Sequence, residues 1–262
     1  MTKVSEVVEY LHSIAPNHLQ EGYDNAGLIV GNVNDDIQGV IISLDCTPAV
    51  VTEAINKGCN MIVSHHPIVF KGLKRFNGSN YVEKAVMMAI KNDINLFAIH
   101  TNLDNVKSNG VNGRIAEILK LKNQRILLPK DESGMIGSGM IGDLDEPLEI
   151  TSFFNHLKSS MKLTTFRHTK IIRDKVSKIA VCGGSGSFLL KDAISEGADV
   201  FITSDFKYHE FFDHNDKIVI IDIGHYESER FTIDLLYGLI SNKFSTFAAH
   251  CTEINTNPVK YF

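Results

Sequence analysis

The sequence predicts an α/β fold built from two similar halves, each a mostly parallel sheet flanked by helices. Three observations carry this expectation. Apolar strand-like runs alternate with amphipathic helical stretches, two long segments match without a gap, and corresponding strands of the two halves end in the same histidine-to-carboxylate spacing. Alternating strand and helix forces parallel pairing through crossover connections.

In chain order, Val4, Val7, Val8, Leu11 and Ile14 recur at helical spacing and mark an amphipathic first helix; the charged-then-apolar order of a signal peptide is missing. The first matching segment, "VIISLDCTPAVVTEAINKGCNMIVS", begins at Val40, and the second, "IAVCGGSGSFLLKDAISEGADVFIT", begins at Ile179. In register, Glu53 meets Asp192, Ala54 meets Ala193, Gly58 meets Gly197 and Asn60 meets Asp199. Each segment reads as a strand, a turn, an amphipathic helix ended by glycine, and a second strand. A further strand follows in each half, "INLFAIH" and "KIVIIDIGH". Between the halves, "GMIGSGMIGDLDEPLEITSFFNHLK" reads as a glycine-punctuated strand and one helix. The expected organisation is an N-terminal half over 1–125, a linker segment over 126–175 and a C-terminal half over 176–262.

Composition removes several function classes. A chain of 262 residues with 44% hydrophobic content is an ordinary globular protein, and its formal net charge of −5 forms no block of one sign, so general nucleic-acid binding is not expected. No apolar run is long enough to span a bilayer, so no membrane association is expected. Cys46, Cys59, Cys182 and Cys251 show no C-x-x-C pairing, which points to reduced thiols and a cytoplasmic protein.

The chemistry gathers at strand ends. "SHHPIVFKGLKRF" puts His65 and His66 directly behind the apolar run "NMIV"; "HTNLD" gives His100 and Asp104, and "HYESE" gives His225 and Glu229. Ligand sites in α/β sheets sit beyond the carboxyl ends of strands. All six residues lie there, so a site between the halves is expected. Two neighbouring imidazoles at a strand end can address two different ions, and a carboxylate can bridge them. Such a donor set suits two divalent metal ions per chain (zinc, manganese, iron or magnesium) and disfavours an iron–sulfur cluster. His209 and His214, in "KYHEFFDH", are expected at the surface or behind the site. The glycines of "CGGSGSFLLKDA", with Asp205 ending the next strand, resemble a dinucleotide fingerprint, but Leu189 stands where its third glycine belongs. A tight turn around Gly184 and Gly186 is expected, its amides being candidate donors to a phosphate.

Together, "EGYDNAGLIVG", "SHHPIVFKGLKRF", "HTNLD", "GGSGSFLLKDAISEGADVFITSDFKYHEFFDH", "GHYESE" and "INTNPV" make the chain resemble, over essentially its whole length, the Nif-three-like dinuclear-metal family of GTP cyclohydrolase I type 2 homologues. The resemblance implies a metal pair held by His65, His66, Asp104, His225 and Glu229, with Glu229 touching both ions. It also implies a ring-like homohexamer and the short form of the family, without an inserted domain. Tyr23 stands where many members have Trp, a departure that touches no metal ligand. The activity it implies is metal-dependent hydrolysis of a small molecule, a purine nucleotide such as GTP. The alternative is a metal-holding scaffold or regulatory interaction protein without turnover. His100, Tyr226 and Glu227 are the nearest candidates for a general acid or base.

Overall fold

Each apolar run that the sequence marks as a strand lies in one of two sheets. The computed structural model describes residues 1–262. The first elements are α1 (Val4–Ile14), β1 (Gly27–Val30), β2 (Gly39–Ser43), α2 (Pro48–Asn56), β3 (Met61–Ser64), α3 (Tyr81–Lys91), β4 (Asn95–Ala98) and α4 (Thr101–Asp104). Next come α5 (Val111–Ile118), β5 (Lys122–Pro129), β6 (Gly137–Glu149), α6 (Ile150–Ser160) and β7 (Arg167–His168). The chain closes with β8 (Lys175–Ser185), α7 (Leu190–Ser195), β9 (Val200–Ser204), β10 (Val219–Asp222), α8 (His225–Glu229), α9 (Thr232–Lys243) and β11 (Ala248–Cys251).

The first sheet has the order β1-β4-β3-β2-β11, parallel except for β1, which runs antiparallel to β4. Its central strands β2, β3 and β4 are buried at every residue, as expected where helices cover both faces. Helix α2 starts where the Thr47 hydroxyl accepts the Val50 amide and Pro48 supplies a preset φ; it packs Val50, Val51 and Ala54 against Ile41 and Ile62. It ends at Gly58 with φ 66°, where Cys59 N–H reaches back to the Ala54 carbonyl.

The second sheet has the order β5-β6-β8-β9-β10-β7; β8, β9 and β10 run parallel, but β5 with β6, β6 with β8 and β7 with β10 pair antiparallel, so this sheet is not the mostly parallel one expected. Its core gathers Ile141, Ala180, Leu189, Ala193, Phe201 and Ile220. Helix α7 ends as α2 does, with Gly197 at φ 70° and Ala198 N–H on the Ala193 carbonyl. Strand pairing is alike too: Val40 faces Met61 in the first sheet and Ile179 faces Val200 in the second, the residues that the sequence match equates.

The chain divides into compact units that differ from the three expected segments. One holds Met1–Leu103 with Thr232–Lys260, the other Asp104–Phe231 with Tyr261–Phe262. The C-terminal stretch joins the first unit because β11 pairs in parallel with β2, Ala248 facing Gly39. Nor is 126–175 a linker. Within it β6 pairs with β8, Met140 facing Val181, and so builds the second sheet. Its glycines serve close approach rather than punctuation: Gly139 has φ 66°, and a Cβ on Gly142 would stand 2.7 Å from the Lys122 carbonyl oxygen. No helix is long and apolar enough to cross a membrane.

Candidate metal centre

In the first unit the end of β3 fixes two histidines in place. The ladder continues past the strand, with His65 N–H on the Ser43 carbonyl and His66 N–H on the Leu44 carbonyl, while the Ser64 hydroxyl donates to the His66 carbonyl. His65 is wholly buried. Its Nδ1 lies 2.8 Å from the Ile99 carbonyl oxygen, which can only accept, so Nδ1 carries a proton and Nε2 is the nitrogen left to face a ligand. The Nδ1 of His66 lies 2.8 Å from Asp45, and that of His100 lies 2.8 Å from Asp24. The Asp24 side chain is shut off from solvent. Burial raises its carboxyl, but the hydrogen bonds from His100 and from the Thr101 hydroxyl outweigh this and bring it down to about 2. The three rings stand 5.0 to 5.3 Å apart between centroids, and each offers a nitrogen within 4.8 Å of the others. This cluster could hold a metal ion. The half-exposed Phe70 meets His100 edge to face at 5.6 Å.

In the second unit, α8 puts His225 and Glu229 one helical turn apart, on one face. The Nδ1 of His225 lies 2.6 Å from Asp205, and its Nε2 lies 3.0 Å from a carboxylate oxygen of Glu229, which is buried. Burial pulls the imidazole's ionisation down, yet the bonds to Asp205 and Glu229 prevail and push it up to about 11. Asp104 closes α4 and accepts the Asn112 side-chain amide on its backbone carbonyl at 3.0 Å.

The glycines at the end of β8 make room for the Glu229 carboxylate. Gly184 has φ 62°, and a Cβ there would stand 2.4 Å from Glu229 Oε1 and 3.4 Å from the His225 ring. The expectation that these amides receive a phosphate is corrected at Gly184, whose amide is already taken. Gly183 N–H donates to the Asn112 side chain and Gly184 N–H to the Ser228 hydroxyl, each at 2.9 Å. Gly186 is close-packed, since a Cβ would stand 2.4 Å from the Thr203 hydroxyl and 2.6 Å from Cys182. Asp205, read as the acid of a nucleotide fingerprint, is the partner of His225 instead. His209 is exposed and stacks on Phe212, and His214 Nδ1 accepts the Asp216 amide; both lie on a 3-10 turn over Tyr208–His214.

The donors fit a divalent cation. Imidazole with carboxylate is an N/O set of intermediate hardness, and carboxylates on the far side of histidine rings are the usual support of metal ligands. The Cys182 thiol does not compete: burial, with the charges of Asp104 and Glu229, pushes it far up and keeps it protonated. What the sequence reading missed is Asp24 and Asp45 as ring-holding carboxylates. The available signal was an aspartate in the turn just before or after a strand, in "YDN" and "SLDC".

Comparison with known proteins agrees with this architecture. A relative from Clostridium perfringens named GTP cyclohydrolase 1 type 2 homolog is 34% identical over 228 residues, covering 87% of each chain. One of the same name from Clostridium acetobutylicum is 33% identical over 256 residues, covering 97% of this chain and 93% of its own. The crystal structure of a Bacillus cereus protein related to NIF3 superimposes with a TM-score of 0.90 at 25% identity, covering 100% of this chain and 99% of that one. The profile of Duf34/NIF3 (NGG1p interacting factor 3) matches residues 2–258, and the chain belongs to that family.

Proposed function

We propose that the chain holds two divalent metal ions between two repeated halves, through His65, His66, Asp104, His225 and Glu229, and that this centre hydrolyses a purine nucleotide. Glu229 touches both ions in this reading. The observation that carries it is His225: one nitrogen is held by Asp205 while the other stands 3.0 Å from the buried Glu229 carboxylate, so a cation that displaced the ring proton would meet both. The like strand registers of the β2–α2–β3 and β8–α7–β9 segments support reading the halves as copies, each contributing histidine and carboxylate from the end of a strand.

When bound, such ions supply Lewis acidity toward a phosphoryl or carbonyl oxygen and bring the ionisation of water toward neutrality. The chain's own residues then do the positioning. Asp45 orients His66, Asp205 orients His225, and Asp24 fixes the tautomer of His100, which faces the same cluster without serving as a ligand in this reading. The name carried by the clostridial relatives supports a nucleotide such as GTP as substrate.

Elemental analysis of metal-reconstituted, desalted protein tests the site: about two ions per chain are expected from five strong donors. A screen of that protein against nucleotides, phosphoesters and amides, with Asp104→Ala as control, tests the chemistry. Metal uptake without turnover would leave the chain as a metal-holding scaffold. A homohexamer is the assembly we infer, and light scattering decides it.

A further inference from the structure

The closing segment over 252–259 has no regular secondary structure, yet its conformation is built residue by residue. Ile254 N–H donates to the Thr252 hydroxyl at 3.1 Å, Asn257 N–H to the Asn255 side chain at 3.0 Å, and Val259 N–H to the Asn257 side chain at 2.9 Å. These are local turns in which side-chain oxygens replace backbone acceptors. Two carboxylates of the same unit pin the segment. Glu53 accepts the Thr252 hydroxyl and the Glu253 amide. Asp45 accepts the Thr256 hydroxyl on one oxygen at 2.5 Å and holds Nδ1 of His66 on the other at 2.8 Å.

We propose that Thr256 is a positioning residue for His66, acting through Asp45. The Asp45 side chain is 34% exposed. A carboxylate so placed is held more firmly when both of its oxygens are engaged by protein groups, since a bond at the surface can be exchanged for water. The Thr256 hydroxyl ties the second oxygen and fixes the carboxylate plane. The fixed carboxylate holds the imidazole in the tautomer protonated at Nδ1 and presents Nε2 as the donor. This gives the "INTNPV" motif a role that neither the repeat nor the donor spacing supplies. It rests on the metal-site reading above and extends that reading to the end of the chain.

The test uses the full chain with Thr256→Val, which removes the hydroxyl at nearly constant shape, and Thr256→Ser, which keeps it. Calorimetric titration with manganese(II) is one readout; the nitrogen–proton correlation spectrum of the His66 ring in metal-free protein is the other. Thr256→Val is expected to weaken manganese binding about tenfold and to move the His66 signals toward a mixture of tautomers, with circular dichroism unchanged. Thr256→Ser restores both. Asp45→Asn, made at the other end of the relay, reproduces the spectral change even where Thr256→Val fails to fold. A Thr256→Val protein with wild-type affinity and spectrum, a Thr256→Ser protein that rescues neither, or an Asp45→Asn protein with the wild-type His66 spectrum overturns the proposal. Should the reconstituted wild-type protein hold no divalent metal by elemental analysis, the metal-site reading fails by itself and the ring spectrum alone decides the relay.

Discussion

Asp205 holds Nδ1 of His225 at 2.6 Å, from a backbone that turns left-handed (φ 59°) at the end of β9. Aspartate and asparagine tolerate that conformation better than other side chains. Asp205→Asn therefore removes the charge and leaves the turn. The His225 ionisation is expected to fall from about 11 toward the ordinary 6.5, and metal affinity to drop by about tenfold or more. Proton NMR titration of the metal-free variant and calorimetry of its loading check the two halves of this expectation. An unchanged His225 titration would mean that Glu229 alone sustains it.

Loading should release protons and strengthen as pH rises. With an ionisation near 11, metal-free His225 carries a proton at neutrality that a coordinating imidazole cannot keep. Calorimetry in buffers of differing ionisation heat counts the protons expelled. Stability moves the other way. The group's folded value lies above its unfolded 6.5, so its contribution to the metal-free protein is full below pH 6.5 and is lost as pH rises through about 11. Denaturant midpoints of wild type and His225→Ala should converge across that window.

The candidate histidines stand out in the sequence because His65, His66, His100 and His225 follow closely on β3, β4 and β10, where periodicity breaks and a histidine has no packing reason to be. The residues that aim them do not. Asp24 and Asp45 are single aspartates in turns, a place where aspartate is common for its own local hydrogen bonds. Gly139 and Gly142 looked like turn glycines, since close approach between paired strands leaves no trace in one sequence. Strand β11 escaped for a related reason: "AAHC" is short and only partly buried, and it earns its place through a partner, β2, that is far away along the chain.

Glu229→Ala should damage metal loading far more than His100→Ala. Glu229 is buried, lies against Nε2 of His225, and in our reading offsets the mutual repulsion of two cations. His100 presents a ring to the cluster while Asp24 holds it from behind, so its loss removes support for the site and no bridging charge. We expect about a hundredfold loss for Glu229→Ala and about tenfold or less for His100→Ala, the range typical of supporting residues. Calorimetry with manganese(II) on both variants ranks them. Equal losses would make His100 a ligand.

Gly184 separates the cost of backbone strain from the cost to the site. Gly184 and Gly58 both adopt left-handed backbone, with φ 62° and 66°, so alanine at either should cost about 1 kcal/mol of stability from that source. Their surroundings differ. Nothing lies within 4 Å of a Cβ on Gly58, whereas one on Gly184 would stand 2.4 Å from Glu229 Oε1 and must push the carboxylate aside. Both variants should therefore unfold at lower denaturant, and Gly184→Ala alone should lose metal affinity. Paired denaturation and manganese(II) titration read the two effects separately. If Gly184→Ala bound metal as Gly58→Ala does, the Glu229 carboxylate could relocate without loss, and its position against His225 would not be what the site requires.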